Sequence, residues 1–277
     1  MDATTVVADP RRERWDQEAA FFDEAARQIG EATLPVDPLA LRRYSGRRLR
    51  RRFSKELRFR LLGRLPGKHL LDVGCGDGLN AILFAKMGAR VTGIDVSPGA
   101  LALARRRAEV NGVAERTAFV CAPLEAAELP GGAFDVIWGD GILHHVLPDL
   151  EAVISRLARW VKPDGAILFS EPINLCPPLR RLRRMIPVRT EATPGERPLV
   201  RSELELVKRF FPDLRLRRHS LFGRLDRFLL VRFNYERSPA PRRALVNALA
   251  LLDFVLLSLP VIEDMAGTCV MYGHPPK

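Results

Sequence analysis

Residues 69–80 read His69-Leu70-Leu71-Asp72-Val73-Gly74-Cys75-Gly76-Asp77-Gly78-Leu79-Asn80. An apolar run ending in an acid and Val73 meets three glycines in five positions, and a helix-forming stretch follows: strand, tight turn, helix. Glycine at 74, 76 and 78 permits positive φ and lets a ligand lie against bare backbone beside a helix N-terminus. The dinucleotide fingerprint wants its third glycine at 79, where this chain has Leu79. A second acid, Asp95, ends the next apolar run, 95 − 74 = 21 positions after Gly74. A carboxylate there can accept both hydroxyls of a ribose.

Outward from this turn, strand-like and helical runs alternate. Residues 70–73, 90–94, 117–121, 134–138 and 166–170 have strand character, whereas 80–87, 99–111 and 150–161 carry helical periodicity. Such alternation means βαβ units and a parallel sheet with helices on both faces. Residues 1–64 form an N-terminal helical cap, because Trp15, Ala19, Phe22 and Ala26, and then Leu49, Phe53, Leu57 and Leu61, recur at helical spacing. Residues 65–173 make the ligand-binding core. Residues 174–277 complete the same globular domain. They begin with a lid loop from Pro177-Pro178 through Arg180, Arg181, Arg183 and Arg184 to Pro198. A helix opened by a capping box of Ser202 and Glu205 follows, then a strand over 214–221, a helical insertion, and a closing strand over 268–273.

Length and composition exclude a disordered tail or a small disulfide scaffold: 277 residues, 47% of them hydrophobic, can bury one sizeable core. Cys75, Cys121, Cys176 and Cys269 are dispersed, without a metal-ligand spacing, so no metal is expected and a reducing cytoplasmic setting is the default. The first 30 residues carry seven acids and no apolar core of a signal peptide. The net charge of +11 is uneven. Residues 42–64 hold eleven basic side chains against Glu56 alone, while residues 65–173 hold ten basic and thirteen acidic ones. Basic flanks attract phosphate-rich partners, whether nucleic acid, an anionic membrane surface or an acidic substrate.

The chain resembles the class I S-adenosylmethionine-dependent methyltransferases, especially the small-molecule group called methyltransferase type 11. The resemblance rests on LLDVGCGDG at 70–78, GARVTGIDVSPGALALAR at 88–105, FDVIWGDGILHHV at 134–146 and VKPDGAILFSEP at 161–172. It implies a Rossmann-like, seven-stranded, mostly parallel sheet and S-adenosyl-L-methionine as cofactor, with S-adenosyl-L-homocysteine as product. Asp72, Gly74, Cys75, Gly76 and Asn80 would then hold the cofactor's amino-acid end. Asp95 would take the ribose, Val96 would pack on the adenine, and Ala122-Pro123-Leu124 would edge it. The family's acid for the adenine amine is missing there, which leaves Glu125 or backbone groups. Gly139 and Asp140 would lie beneath the sulfonium.

Methyl transfer is an in-line displacement, so the protein positions the nucleophile and, for a hydroxyl, removes its proton. His144 is the candidate base, with His145 and Glu171 on the acceptor side. Trp15, Phe21, Phe22 and Tyr44 are candidates for a lid, Tyr44 with its hydroxyl toward a cofactor carboxylate. Leu221 and Thr268 are separated by 268 − 221 − 1 = 46 residues, too many for a hairpin. This 222–267 insertion contains the apolar run 244–262, interrupted by Asp253. It reads as a roof over an apolar acceptor pocket or as an element lying on an anionic membrane at the inner face. A lipophilic acceptor follows from either, as in the ubiquinone-pathway O-methyltransferases that the chain is similar to. The charge leaves open a nucleic-acid methyltransferase, against which Gly139-Asp140-Gly141-Ile142 lacks the Asn/Asp-Pro-Pro-aromatic pattern; a non-catalytic cofactor-binding protein is the third class.

Overall fold

The computed structural model describes residues 9–46, 53–179, 181, 196–231 and 235–276, so the expectations for Leu49, Arg180, Arg183 and Arg184 lie outside the described residues. Seven strands form one sheet in the order β3-β2-β1-β4-β5-β7-β6. They are β1 (His69–Val73), β2 (Arg90–Asp95), β3 (Thr117–Cys121), β4 (Phe134–Asp140), β5 (Val161–Pro172), β6 (Arg215–His219) and β7 (Thr268–Gly273). All neighbouring pairs among β1 to β5 are parallel, and β7 runs antiparallel between β5 and β6. The sheet is the mostly parallel, Rossmann-like one expected. Its central strands are covered on both faces, which is why β1 reads as an apolar run without alternation.

Register aligns the carboxyl ends that carry the candidate residues: Val73 pairs with Ile94 on one side and with Gly139 on the other. The strand order reverses between β1 and β4, and crevices for ligands open at such a reversal.

Helices α1 (Arg12–Arg27), α2 (Pro38–Ser45), α3 (Ser54–Leu62), α4 (Leu79–Lys86), α5 (Pro98–Val110), α6 (Leu150–Trp160) and α7 (Arg201–Phe210) cover the sheet. One core packs Val153, Leu157 and Trp160 of α6 and Val207 of α7 on Ile137, Phe169 and Met271. The other brings Phe59 of α3 and Phe84 of α4 onto Trp138, with ring centroids 5.3 and 5.0 Å from the indole. Helix α1 lies along α5, and Asp23 accepts hydrogen bonds from the Gly99 amide and the Ser97 hydroxyl at the start of α5.

Two local expectations are corrected. Helix α7 opens at Arg201, not at a Ser202 cap; Ser202 sits in its first turn, and Glu203, not Glu205, reaches back to accept from the Val200 amide at 2.7 Å. The strand expected over 214–221 is shorter, Arg215–His219, because the chain turns at Ser220, whose φ is 66°. The insertion before β7 is helical, with the one-turn α8 (Asp226–Leu229) and the longer α9 (Ala240–Leu256). Asp253 does not disturb its apolar run: it is 5% exposed and its two oxygens accept from the Phe222 and Gly223 amides at 2.8 Å each, pinning α9 to the turn after β6. Among the described residues no helix is long and apolar enough to cross a membrane.

Candidate active site

The turn after β1 folds around bare backbone. Gly74 has φ 63°, and a Cβ built there would stand 2.7 Å from Ile142 Cδ1, so only glycine fits. Asp95 fixes the loop from the next strand: one carboxylate oxygen accepts from the Gly76 amide at 2.8 Å and the other from the Ser97 amide at 2.9 Å. Each oxygen keeps a second lone pair. Burial pushes the Asp95 carboxyl up, and these amides pull it back.

A cavity of ≈ 170 Å³ opens over this loop. Gly74 and Gly76 lie on one side with Asp95 and Val96, Ala122, Pro123 and Leu124 form a wall, and Trp15 and Phe22 of α1 cover it. Asp140, Gly141 and His145 line its walls too. Four residues expected at the cofactor do not line this cavity. Asp72 is fully buried, and burial followed by the Asp140 charge pushes its carboxyl well above the usual range. Cys75 is buried in the loop, and all four cysteines are free thiols. Gly139 is where Phe169 passes so closely that a Cβ would stand 2.2 Å from its ring. Asn80 places Nδ2 3.5 Å from Asp140 Oδ2.

Asp140 differs from expectation in its company. The Arg58 guanidinium of α3, 1% exposed, donates to Asp140 Oδ1 at 2.7 Å and to the Gly139 carbonyl at 3.2 Å, and lies 4.1 Å over the Trp138 ring. The carboxylate therefore carries a paired charge. Arg58 was hidden in the basic run 42–64, which is not wholly a solvated face: Arg43 likewise donates to Glu236 at 2.8 Å. Glu125, the possible stand-in for the adenine acid, lines the cavity but is held by Arg14. Glu18 of α1 was not foreseen. It is 8% exposed inside the same cavity, and burial, then the Glu125 charge, push its carboxyl up to about 7.

Glu171, fully buried at the end of β5, organises the loop after β4. Its Oε1 accepts from the Ile142 and Leu143 amides at 2.9 Å each, and its Oε2 lies 2.9 Å from His144 Nδ1. Glu171 is thus both a loop cap and the orienting partner of His144. The His145 ring centroid lies 4.3 Å from that of His144 and 5.8 Å from that of Phe22, and burial followed by the neighbouring His144 pushes His145 down, toward its neutral form.

Tyr44 is not part of this lid. Its hydroxyl accepts from Arg43 at 2.5 Å and its ring stacks on Phe59 at 4.5 Å, because α2 packs on α3. It lines a second cavity of ≈ 260 Å³ with Lys55, His219, Tyr235 and Asp253. Burial pushes the Lys55 ammonium down, and Asp140 and Asp72 oppose that shift. His219 also borders a third, apolar groove of ≈ 250 Å³ between Leu57 and Leu61 of α3 and Leu216, Phe254, Val270 and Tyr272.

Residues 71–169 match the family model described as a methyltransferase domain. Over 109 residues the chain is 43% identical to a ubiquinone biosynthesis O-methyltransferase of Sodalis glossinidius, covering 39% of this chain and 43% of that one. A protein of the same description from Thiobacillus denitrificans is 44% identical over 106 residues, covering 38% and 45%. The match thus spans less than half of the length of these relatives. Among solved structures, a geranyl diphosphate C-methyltransferase from Streptomyces coelicolor superimposes with a TM-score of 0.57 at 15% identity, covering 97% of this chain and 99% of that one. A phosphoethanolamine N-methyltransferase of Haemonchus contortus gives 0.51 at 17% identity over 96% and 59%. At such identities the likeness is one of fold.

Proposed function

We propose that this chain, whose residues 71–169 carry a methyltransferase domain, is an S-adenosylmethionine-dependent methyltransferase acting on the oxygen of a small, apolar acceptor. The observation that carries the reading is Asp95, locked by two amides at the end of β2 beside a glycine turn whose bare backbone borders the cavity. S-adenosylmethionine bound there supplies an electrophilic methyl on a sulfonium. Gly74 and Gly76 leave room for its amino-acid end, Asp95 accepts the ribose hydroxyls, and Val96 and Leu124 pack on the adenine. Trp15 and Phe22 exclude water from above. Asp140, neutralised by Arg58, adds an ion pair in place of a bare carboxylate near the sulfonium.

His144 is the group that takes the acceptor's proton. With Nδ1–H donated to Glu171, its Nε2 is the acceptor, and the buried carboxylate stabilises the imidazolium that forms. The apolar groove beside α3 suits the tail of a lipophilic acceptor, and the relatives named for ubiquinone biosynthesis support an aromatic or quinone-type head. Engagement of Arg58 and Arg43 within the protein lowers the case for nucleic acid. The exposed stripe of Leu245, Leu252 and Val255 on α9, continued by Leu259 in the turn beyond it, suits association with a membrane surface.

The test is incubation with methyl-labelled S-adenosylmethionine and a lipid extract of the source organism, followed by mass spectrometry. Label entering an apolar hydroxylated product is expected, and His144→Ala should lower that turnover about 100-fold or more while cofactor affinity is kept. Label found only in RNA, or unchanged turnover in the variant across pH 6 to 9 (roughly the span over which a histidine base would titrate), contradicts the reading.

A further inference from the structure

The loop after β4 and the chain leading into α7 bring together His144, His145 and Glu196, and we propose that these three side chains form a binding site for a divalent transition-metal ion at the edge of the cavity. One donor atom from each lies within 4.8 Å of the other two. His145 Nδ1 stands 2.9 Å from Glu196 Oε1, and His144 Nε2 stands 4.0 Å from Glu196 Oε2. Two donors each bonded at about 2.1 Å to one tetrahedral ion stand about 3.4 Å apart. The two separations, which run to different oxygens of the Glu196 carboxylate, lie on either side of that span.

The donors are aimed as well as close. His144 Nδ1 is tied to Glu171, so the free lone pair of that ring is on Nε2, the atom nearer Glu196. Glu171 is itself fixed, with no exposed surface and two backbone amides on its other oxygen. A buried carboxylate holding the far nitrogen of a histidine sets the tautomer and orientation of a metal ligand. His145 Nδ1 faces Glu196 Oε1 at 2.9 Å, so an ion entering between them replaces the proton of that contact.

Two imidazoles and one carboxylate select borderline ions such as Zn²⁺, Co²⁺, Fe²⁺ or Mn²⁺ over Mg²⁺ or Ca²⁺, which prefer oxygen. Three protein donors leave coordination positions for water or an acceptor oxygen, and His145 lines the cavity wall where such an oxygen would enter. In a molecule holding the ion, His144 Nε2 is a ligand and no longer a base, and the ion lowers the proton affinity of the oxygen bound to it. The site stands on side-chain geometry alone and does not depend on the proposed methyl transfer.

The chelator-treated chain titrated with Co²⁺, followed by visible absorption, tests the site without any turnover. One ion per chain is expected, with His145→Asn and Glu196→Gln each weakening binding about 30-fold or more. Glu171→Gln should keep the stoichiometry and weaken binding roughly 10- to 100-fold, as for an outer partner of a ligand. Circular dichroism and thermal unfolding establish that each variant is folded. Wild-type protein that takes up no cobalt at millimolar concentration overturns the site whatever the variants do, and so does uptake unchanged in both folded ligand variants.

Discussion

Arg58 shows how a run of like charges conceals a single internal one. Ten of its basic neighbours between Arg42 and Arg64 have the same chemistry, and nothing in their spacing separates the one that turns inward to Asp140. Gly74 and Asp95 were legible for the opposite reason: a turn with no room for a Cβ, and an acid closing the second strand, are constraints of the backbone and leave a mark in the sequence. Removing one member of a fully buried pair costs about 3–5 kcal/mol. The Asp140 side chain is 37% exposed, so water screens part of this, and Arg58→Met should cost about 2–3 kcal/mol in urea unfolding. Adding Asp140→Asn to that variant should recover part of the loss. A change below about 0.5 kcal/mol, the range of an ordinary surface substitution, would mean that the pair does not hold α3 to β4.

At the scale of elements, α1 was readable as a helix but not as a roof, because helical periodicity does not say which surface the apolar face meets. Its contact with α5 puts Glu18 into the cavity. With its carboxyl raised from 4.5 to about 7, the folded chain keeps a proton that the unfolded chain gives up. Stability from this residue is therefore full below pH 4.5 and falls as pH rises through the window to about 7, by about 3 kcal/mol at most. Glu18→Gln removes the loss, so its melting temperature should match the wild type at pH 4, below the window, and exceed it at pH 8. Equal melting temperatures at both values would place Glu18 in water. The start of α7 was misread for a related reason: Ser202 and Glu205 fit the capping pattern by type, yet Glu203, at the third helical position, is the one that reaches the Val200 amide.

At the scale of the molecule, the alternation of apolar and helical runs from residue 69 to 170 disclosed the sheet, since strands covered on both faces leave uninterrupted apolar runs. The insertion was legible as apolar and helical but not in how it docks, because Asp253 looks like an interruption until its two amide partners are seen. What α9 leaves outside is testable: vesicles with anionic lipid should retain the protein, and Leu252→Asp or Val255→Asp should reduce retention while leaving cofactor affinity intact. Retention unchanged in both variants would assign the stripe elsewhere. The claim on which the whole account turns is that the glycine turn and Asp95 hold S-adenosylmethionine, and isothermal titration calorimetry of the full chain tests it most directly. The account predicts one S-adenosylmethionine per chain, no heat from NAD, and a loss of about 1.5–3 kcal/mol, roughly 10- to 150-fold in Kd, in Asp95→Ala. Absence of binding, or an affinity unchanged in that variant, would contradict it.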